Sequence, residues 1–571
     1  MKNSEVAEIL YEIADFLEIK GVRWKPRAYR RAAGTIETLS EDVEDVYELG
    51  ELHDIPGVGE SIAEKIGEYL EEGRLQYLED LREEMNPGLR QLMEVEGVGP
   101  KTAKKLNREL GVSSIEEMEE AAKNKMIREL EGFGKRSEED ILRGIEMYRS
   151  SQERFILGFK LPSAQEIVGE LEKLRDVKRL SLAGSIRRMR PTIGDIDILV
   201  TVEGDKMDVI DHFTGLEVVD TVISQGERKS TVILKNRVEV DLMIIEPETF
   251  GAALQYFTGS KAHNIKLRQI ALDRRWKLSE YGLVERDDGK LIAGKTEEEI
   301  YDALGLEYIE PELREDRGEI EAARNGNLPD LIGYDSLKGD LHTHSNWSEG
   351  SHTVREMAEA ARRQGHKYIA LCDHSKTLAI AQGLTAEDYR DRQKEIDDVN
   401  RDLDDFTILS GTEVEIDSEG KLDLPYDLLK DLDYVVAAIH SGFKQTEGEI
   451  TNRLLSAMSH DHVDAIAHPT GRMLQKREPY EVNLEEVYRS AEENGTYIEI
   501  NAFPIRQDLP SSDIMNAKEY NLKFHIGTDA HSIDHLRYID LGIANARRGW
   551  LQEEDVINTK SLEELRKELG L

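Results

Sequence analysis

Histidines and acidic residues recur across residues 336–571, and their placement constrains the fold of this 571-residue chain more than any other feature. Most of them follow short apolar segments that are typical of strands, and helical patterns separate these segments. Strands that alternate with helices pair in parallel, and a parallel sheet closed into a barrel brings the carboxyl ends of its strands to one face. Residues 336–571 are therefore predicted to form a (β/α) barrel with a polar centre at that face.

Seven strands and at least four helices are predicted in this region. The strands are Lys338–His342, Tyr368–Cys372, Thr407–Thr412, Tyr434–Ile439, Ala465–Ala467, Tyr497–Ile500 and Lys523–Ile526. The helices include Thr353–Gln364, Ala386–Asp402, Leu484–Glu493 and Asp513–Glu519. Residues that can ligate a metal lie at or just past the ends of six of these seven strands, which chance does not explain; they are His342, His344, His374, Glu413, His440, His468, Asp529 and His531.

These residue types indicate a metal centre. Imidazoles and carboxylates without a thiolate suit Zn²⁺, Mn²⁺ or Fe in a site with several ions, where an activated water could attack a phosphoester. Cys372 is the only cysteine, which excludes disulfides within the chain and argues against cysteine-ligated zinc. Zn²⁺, Mn²⁺ or both are expected at this centre.

A second group of acidic residues lies near the middle of the chain, where Asp195–Val200 and Glu239–Ile245 are predicted strands. Residues two apart on a strand face the same side, so Asp195 and Asp197 point together, and Asp241 on a neighbouring strand can join them. Three clustered carboxylates require cations, and oxygen ligands favour Mg²⁺ or Mn²⁺. Two such ions could activate a 3′ hydroxyl and hold a triphosphate.

The residues before these aspartates suit phosphate binding. Gly184-Ser185 follows an apolar segment, and the Ser185 hydroxyl, nearby backbone N–H groups and Arg188 could hold the β and γ phosphates. Arg187 and Arg190 add positive charge.

The first 150 residues contain a repeat, with copies at Gly57–Gly59, Gly97–Gly99 and Gly132–Gly134. Each copy follows an apolar segment and precedes a helical pattern. A Gly-x-Gly turn at a helix N-terminus presents N–H groups that bind a phosphate without reading a base. The repeat therefore predicts helical DNA-binding modules.

The composition limits the class of protein. A formal net charge of −41 opposes DNA binding, but net charge constrains solubility more than it constrains a local site. The acidic helical stretches are interpreted as solvated helix faces. No apolar run is long enough to span a bilayer and no signal peptide pattern is present, so a cytoplasmic protein of three or four domains is expected.

Residues 1–315 resemble family X DNA polymerases. The segment Trp24–Ala32 is similar to the part of that family's N-terminal domain that binds the 5′ phosphate of a gap. Gly184–Arg188, Gly194–Asp197 and Tyr256–Ser260 match the palm and fingers in order and spacing. The resemblance implies all-α helix-hairpin-helix domains, an α+β nucleotidyltransferase palm and gap-filling, DNA-directed DNA polymerase activity.

The resemblance also implies roles for single residues. Tyr256 and Phe257 would lie against the sugar, Asn264 would contact the incoming base, and Arg268 would contact the template. The nucleotide-binding set is completed by Gly184, Ser185, Arg188, Gly194 and Gly259. The DNA-binding set is Lys25, Tyr29, Arg30, Gly57, Gly59, Lys65, Gly97, Gly99, Lys101 and Arg268. Lys65 also matches the family's Schiff-base lysine, whereas Ser61 replaces a further phosphate-binding lysine of some members.

Residues 336–571 resemble the PHP (polymerase and histidinol phosphatase) family, whose fold is a distorted (β/α)₇ barrel with a trinuclear metal centre. The matching motifs are Asp340–Ser345, Cys372–Ser375, Ala467–Pro469 and Gly527–His531. The chain has Glu349 where the family often has an aspartate ligand, and the longer side chain is expected to ligate as well. Both halves together resemble the bacterial and archaeal family X polymerases called PolX. This implies base excision repair and a barrel that acts as a 3′–5′ exonuclease, with 3′ phosphatase or abasic-site endonuclease activity as further options.

The expected domains are an N-terminal helical domain (1–85), a second helix-hairpin-helix region (86–155), a palm (156–250), a nascent-base-pair-binding subdomain (251–315), a linker (316–335) and the PHP domain (336–571). The expected partners of this monomer are gapped or primer–template DNA and deoxynucleoside triphosphates. Two alternatives stay open. In one, the chain is a DNA-binding PHP nuclease with a weak or inactive polymerase core. In the other, the barrel is a phosphatase for a small metabolite.

Overall fold

The structure, a computed structural model, describes residues 3–20, 22, 24–37, 43–72, 74–84, 89, 92, 93, 95, 97–152, 154–375 and 383–571. The chain divides into two compact units. One comprises Met1–Glu153 with Gln475–Arg477, and the other comprises Arg154–Leu474 with Glu478–Leu571. In the described parts of both units, no helix is long and apolar enough to cross a membrane.

Among the described residues from 3 to 152, helices are the only regular secondary structure. Two separate apolar cores hold them together, one from residues 6–81 and one from residues 89–145. The helices are Asn3–Ile19, Lys25–Glu37, Val43–Glu48, Glu60–Glu72, Gln76–Glu84, Pro100–Leu110, Ile115–Lys123 and Lys135–Gln152.

The three Gly-x-Gly copies form the same turn. Gly57, Gly97 and Gly132 have φ angles of 91°, 81° and 79°, in the left-handed region that glycine adopts at little cost. In each copy the N–H of the middle residue donates to the carbonyl three residues earlier, as from Val58 to Ile55 at 3.0 Å. A helix begins directly after the second glycine of each copy, so the repeat predicted from the sequence is a structural repeat.

Residues 154–335 of the second unit fold around a five-stranded sheet. The strands are β1 (Phe155–Ile156), β2 (Val177–Leu182), β3 (Thr192–Ile193), β4 (Ile196–Val202), β5 (Val219–Gln225), β6 (Lys229–Leu234), β7 (Glu239–Ile244), β8 (Trp276–Ser279), β9 (Gly282–Glu285) and β10 (Leu291–Ala293). The large sheet has the order β2-β4-β7-β6-β5, in which only β4 and β7 are parallel. The helices are Leu157–Glu172, Gly184–Arg187, Lys206–Thr214, Phe250–Thr258, Lys261–Asp273, Glu297–Ala303 and Glu319–Asn325.

The segment 316–335, expected to be a linker, is packed rather than extended. It contains the helix Glu319–Asn325, and Glu319 Oε1 lies 2.6 Å from Nδ1 of the buried His263. Just before it, the fully buried Arg314 pairs with Glu297 at 2.5 Å. Glu319 and Arg314 therefore hold this region against parts of the chain that precede it in the sequence.

Residues 336–571 form the predicted barrel. Its strands are β11 (Gly339–Thr343), β12 (Tyr368–Leu371), β13 (Thr407–Glu415), β14 (Tyr434–Ala438), β15 (Ala465–Ile466), β16 (Tyr497–Asn501) and β17 (Phe524–Gly527), paired in parallel and in sequence order. The segment after β17 returns to β11, where His344 N–H donates to the Ala530 carbonyl at 2.8 Å. The helices are Val354–Arg363, Ala386–Asp402, Tyr426–Leu429, Glu447–Met458, Leu484–Asn494, Ser511–Ala517, Ile539–Arg548 and Leu562–Leu569.

Local sequence signals explain several barrel helices. Thr353, Thr385, Thr446 and Ser561 each form a capping box with an acidic residue three positions later. The seven predicted strands all occur, with ends shifted by three residues at most. The largest shift is in β13, which continues to Glu415 because its first half pairs with β12 and its second half with β14. Glu413 consequently lies inside a strand and not just after one.

A buried ion pair fixes the loop after β12 to the helix Ala386–Asp402. Arg392 Nη1 donates to Asp373 Oδ2 at 2.9 Å, and both side chains are fully buried. The second carboxylate oxygen of Asp373 accepts from the Ser345 N–H at 2.7 Å. The pair therefore joins the segments that follow two neighbouring strands.

Replacing Arg392 by Met is expected to destabilise the barrel by about 3–5 kcal/mol, because the Asp373 charge stays buried without its partner. Urea denaturation followed by circular dichroism measures the change. The matched control is Arg401→Met on the same helix, since Arg401 is an exposed residue paired with Asp398, and its loss should not shift the transition measurably. Equal effects of both substitutions would show that burial of the pair is not what matters.

Candidate functional site

The predicted aspartate site lies at the parallel pair of strands in the large sheet. Asp197 on β4 stands directly opposite Asp241 on β7, and Asp195 precedes β4 by one residue. Gly184 approaches this pair so closely that a Cβ there would lie 2.4 Å from Asp197 Oδ2. The glycine is therefore required, because any side chain would collide with the carboxylate.

The electrostatics of this site call for cations. Burial, Asp195 and Asp241 together raise the pKa of Asp197 to about 7. Burial and Asp241 also raise the pKa of Asp195. Asp241 is held by Thr231 Oγ1 at 2.6 Å and by Lys229 Nζ at 2.7 Å. Oxygen ligands without imidazole fit Mg²⁺ or Mn²⁺, which would replace the repulsion by attraction.

The aspartates are less tightly gathered than the barrel ligands. Among the described residues, three groups of ligand atoms lie within 4.8 Å of one another, and all three are in the barrel.

The predicted nucleotide-binding residues lie on three segments, of which the first approaches Asp197 through Gly184. Gly184 and Ser185 begin the short helix Gly184–Arg187, and Arg188 ends it. Arg188 Nε donates to Glu315 at 2.9 Å, and Nη1 donates to the Thr258 carbonyl. Gly194 lies between β3 and β4, directly before Asp195.

The helix Phe250–Thr258 carries the predicted sugar-binding pair. Tyr256 and Phe257 pack edge to face with ring centres 5.3 Å apart, and Gly259 follows with a φ of 70°. Asn264 donates to the Tyr256 carbonyl at 2.7 Å and accepts from Gln255 at 2.6 Å, so both of its polar atoms are already used within the protein. Arg268 lies one turn after Asn264 on the next helix, Lys261–Asp273, and is exposed.

In the barrel, Glu413 lies at the centre of the predicted ligands. Its carboxylate is within 4 Å of five imidazoles: His342, His344, His374, His440 and His468. Burial alone would raise the pKa of Glu413, but His374, His440 and His342 lower it well below its usual range. Glu413 is therefore the carboxylate that joins the separate ligand groups.

Glu349 completes a second group near the barrel opening. Its Oε1 lies 2.7 Å from His374 Nε2 and 2.8 Å from His531 Nε2. Asp529 lies 3.2 Å from His344 Nε2. Thus Glu349 reaches the predicted position despite the departure from aspartate. The three groups contain every predicted barrel ligand except His468, which contacts Glu413 at 2.8 Å.

The barrel residues fit metal ions. Nε2 of His342, both ring nitrogens of His344, Nδ1 of His468 and Oε2 of Glu349 are buried without a hydrogen bond to any residue that the structure describes. Buried polar atoms are normally hydrogen-bonded, so these atoms are candidates for coordinating a metal ion. Burial and His531 lower the pKa of His344 to about 4, which keeps its imidazole neutral and able to bind a metal.

Two further carboxylates were not predicted from the sequence. Glu499 on β16 lies 2.6 Å from His342 Nδ1, and Glu415 on β13 lies 2.8 Å from His440 Nδ1. Both orient an imidazole from its far side, as carboxylates do around many metal centres. β16 was the one strand without a predicted ligand, and the alternation of Glu499 with Asn501 was the signal that could have indicated its inward face.

The predicted DNA-binding residues of the first unit differ in availability. Lys25 and Lys101 are exposed, and Gly57, Gly59, Gly97 and Gly99 form the hairpin turns. Tyr29, by contrast, is buried in the apolar core, and Arg30 pairs with Asp15 at 2.6 Å and Glu18 at 2.7 Å. Both are therefore engaged in holding the helix Lys25–Glu37 in place. The aromatic and basic pattern did not reveal these acidic partners.

Lys65 is positioned by its own helix and by an aromatic ring. Its Nζ donates to the Ser61 hydroxyl at 3.0 Å and lies 4.8 Å above the Tyr77 ring. The side chain is only partly buried, so the amine is accessible.

Known families match four regions of the chain. A helix-hairpin-helix domain matches residues 1–75, and a SAM-like helix-hairpin-helix tandem matches residues 89–146. The DNA polymerase beta thumb matches residues 253–315, and the PHP domain matches residues 340–503. These matches agree with the fold class predicted from the sequence.

Three curated relatives span different parts of the chain. A probable phosphatase of Thermoanaerobacter sp. (strain X514) is 29% identical over 231 residues, which are 38% of this chain and 89% of that protein. DNA polymerase lambda of Rattus norvegicus is 25% identical over 349 residues, which are 55% of this chain and 56% of that protein. The DNA polymerase/3′-5′ exonuclease PolX of Bacillus subtilis (strain 168) is 38% identical over 568 residues, which are 99% of each chain. At this identity over the full length, the chain belongs to the PolX family of DNA polymerases that carry a PHP domain.

Proposed function

We propose that this protein fills short gaps in DNA during base excision repair and trims primer ends with its barrel. The observation that carries the proposal is the register of β4 and β7, which sets Asp197 opposite Asp241 beside the Gly184 turn. The full-length relative is a DNA polymerase/3′-5′ exonuclease, which supports both activities in one chain.

In the polymerase site, Asp195, Asp197 and Asp241 would hold Mg²⁺ or Mn²⁺. When bound, two such ions lower the pKa of the primer 3′ hydroxyl and offset the charge of the triphosphate. The hydroxyl oxygen attacks the α phosphorus, the bond to the bridging oxygen of the β phosphate breaks, and pyrophosphate leaves. Gly184, Ser185, Gly194 and Arg188 position the phosphates in this reaction.

The remaining polymerase residues select and align the substrates. Tyr256, Phe257 and Gly259 would pack against the sugar, and Asn264 would contact the incoming base. Because Asn264 already bonds to Tyr256 and Gln255, base contact would require it to exchange one of these partners. Arg268 would contact the template strand from the exposed side of its helix.

The barrel would hydrolyse the 3′-terminal phosphodiester. Its Zn²⁺ or Mn²⁺ ligands would be His342, His344, Glu349, His374, Glu413, His440, His468, Asp529 and His531. When bound, the metal ions polarise the phosphodiester and lower the pKa of a water molecule. Glu499 and Glu415 keep His342 and His440 oriented for this task.

The first unit would hold the DNA. The three hairpin turns offer backbone N–H groups to phosphates, and Lys25, Lys65 and Lys101 add positive charge. We assign the domain boundaries as expected from the sequence, at 1–85, 86–155, 156–250, 251–315 and 336–571, although the packed segment 316–335 belongs structurally with the part before it. The residues 85 and 86 lie outside the described residues.

The proposed setting is the cytoplasm, and the proposed form is a monomer that binds gapped DNA and deoxynucleoside triphosphates. The free and buried Cys372 suits a reducing compartment. The rival function is a DNA-binding nuclease whose polymerase core is weak or inactive, and the following measurements separate the two.

Asp197→Asn is expected to lower nucleotide incorporation by about 100-fold or more, because loss of an outer-shell partner alone costs about 10–100-fold at metal sites. Extension of a labelled primer at a one-nucleotide gap measures this effect. Shortening of the primer without nucleotides should be unchanged. Asp220→Asn, an exposed aspartate on β5 of the same sheet, is the control and should extend normally. A wild-type protein that shortens primers and never extends them would establish the nuclease rival.

Glu413→Gln is expected to abolish primer shortening and to leave extension intact, because the neutral side chain cannot join the ligand groups. Glu419→Gln is the matched control, since Glu419 is exposed and pairs only with its neighbours. The measurement uses the same gapped substrate without nucleotides. Continued shortening by the Glu413 variant would place the exonuclease outside the barrel centre.

Mn²⁺ or Zn²⁺ added to metal-free protein is expected to raise the thermal unfolding midpoint, because the barrel ligands converge only in the folded state. A ligand at 100 times its Kd contributes about 2.7 kcal/mol. Differential scanning fluorimetry after dialysis against EDTA measures the shift, and Glu413→Gln should remove most of it. A larger shift with Mg²⁺ than with Mn²⁺ or Zn²⁺ would contradict the assignment of imidazoles to softer ions.

A further inference from the structure

One carboxylate joins the nucleotide-binding turn of the polymerase to a helix of the barrel. Glu315 Oε1 accepts from Arg188 Nε at 2.9 Å and from Arg548 Nη1 at 3.2 Å, and its Oε2 accepts from Arg190 at 3.2 Å. Arg548 is the last residue of the helix Ile539–Arg548, which lies in the barrel half of the second unit. Three guanidinium groups from two halves of the unit therefore share one acceptor.

Arg548 also bonds to the backbone of the turn. Its Nη1 donates to the Arg188 carbonyl at 3.1 Å, at the end of the short helix Gly184–Arg187. The last carbonyls of a helix lack partners within the helix, so a cation is well placed there. Because the Arg548 side chain is only 2% exposed, it has little freedom to take another position.

The contacts around Arg548 attach the barrel helix firmly to this region. Arg547 Nε donates to Glu312 at 2.8 Å, and Arg317 Nη1 donates to Ser511 at 3.2 Å. Tyr538 and Leu541 at the other end of the helix belong to the apolar core beneath the large sheet. The helix Ile539–Arg548 thus contacts the polymerase half at both of its ends, and Ser511 begins the neighbouring helix Ser511–Ala517.

Arg188 retains one unused nitrogen. Its Nε bonds to Glu315 and its Nη1 bonds to the Thr258 carbonyl, whereas none of the described residues hydrogen-bonds to Nη2. The turn that carries Arg188 is fixed beside the aspartates, because the Ala183 N–H donates to the Asp197 carbonyl at 2.9 Å. An arginine that is held at two nitrogens and open at the third is preorganised for an anion beside the aspartates.

We propose that Arg548, a residue of the barrel domain, is a positioning residue for the polymerase reaction: through Glu315 and the Arg188 backbone it holds the turn that binds the triphosphate. The inference rests on the proposed phosphate-binding role of Arg188. It assigns the barrel a second task, which is to support nucleotide binding independently of its own metal centre. Without Arg548, the Arg188 carbonyl loses a hydrogen bond, and Glu315 loses one of the three guanidinium groups that it accepts from.

The test measures the Kd for a deoxynucleoside triphosphate and the maximal incorporation rate separately, in single-turnover reactions on gapped DNA. Arg548→Met is expected to raise the Kd about tenfold, which corresponds to a charged hydrogen bond of about 1.4 kcal/mol. The maximal rate should change much less, because the chemistry at the aspartates is untouched. Arg548→Lys keeps the charge and one donor and should restore most of the affinity.

The matched control is Arg547→Met, which removes the neighbouring arginine without touching Glu315 or Arg188. It is expected to leave the triphosphate Kd within about twofold of wild type. If it raises the Kd as much as Arg548→Met does, general loosening of the barrel helix explains the effect and the proposal is overturned. Primer shortening by the same Arg548→Met preparation should be unchanged, and a parallel loss would overturn the proposal for the same reason.

Two further outcomes keep this inference separate from the polymerase proposal. A wild-type protein that does not incorporate nucleotides refutes the polymerase function itself. A wild-type protein that incorporates them, together with an unaltered Kd in Arg548→Met, refutes only the role of Arg548. If Arg548→Met does not fold, Glu315→Gln replaces it, since this variant keeps Arg548 in place and weakens the same link; an unaltered Kd in that variant overturns the proposal.

Discussion

The burial of Glu413 among five imidazoles is the interaction on which the barrel depends. A lone carboxylate in this position would pay a large desolvation cost, and lone histidines would stay unpaired. Together they lower the free energy of the centre, and the pKa of Glu413 falls well below its usual range because His374, His440 and His342 outweigh the effect of burial. The strands deliver these groups to one face because the barrel is parallel throughout, so topology and charge compensation require each other.

The same compensation explains how so acidic a chain builds its interior. Arg392 with Asp373, Arg314 with Glu297, and Glu315 with its arginines are buried pairs at the junctions between segments. Buried pairs are weak sources of net stability but are costly to break, so they specify which segments meet. The excess acidic residues remain on exposed helix faces, as with Asp391 and Asp398, whose ion pairs with Lys394 and Arg401 contribute little.

The sequence predicted the elements of the fold better than the contacts between them. The barrel strands and the pairing of Asp197 with Asp241 followed from periodicity and motif order, because both are local properties. The packed state of residues 316–335 did not, since the partner of Glu319 is His263 and that of Arg314 is Glu297, each far away along the chain. Glu499 and Glu415 were missed for the same reason: a carboxylate that orients an imidazole carries no spacing signal of its own. For Tyr29 and Arg30 the motif predicts DNA binding and the structure adds what the motif did not indicate, namely that Tyr29 is buried and that Arg30 pairs with Asp15.

The aspartate site and the barrel site can bind different metal ions within one unit, because their ligand atoms differ in chemical type. The aspartates offer only oxygen ligands, and burial together with Asp195 and Asp241 raises the pKa of Asp197 to about 7, which favours a hard cation such as Mg²⁺. The barrel offers imidazoles as well as carboxylates, and Glu499 and Glu415 already orient two of them, which suits softer ions such as Zn²⁺ or Mn²⁺. The helix Ile539–Arg548 belongs to the barrel half of the unit. Its residue Arg548 contacts Arg188 and Glu315 in the polymerase half. In this arrangement the two reactions use separate sets of metal ligands, and the same folded unit supports both sets.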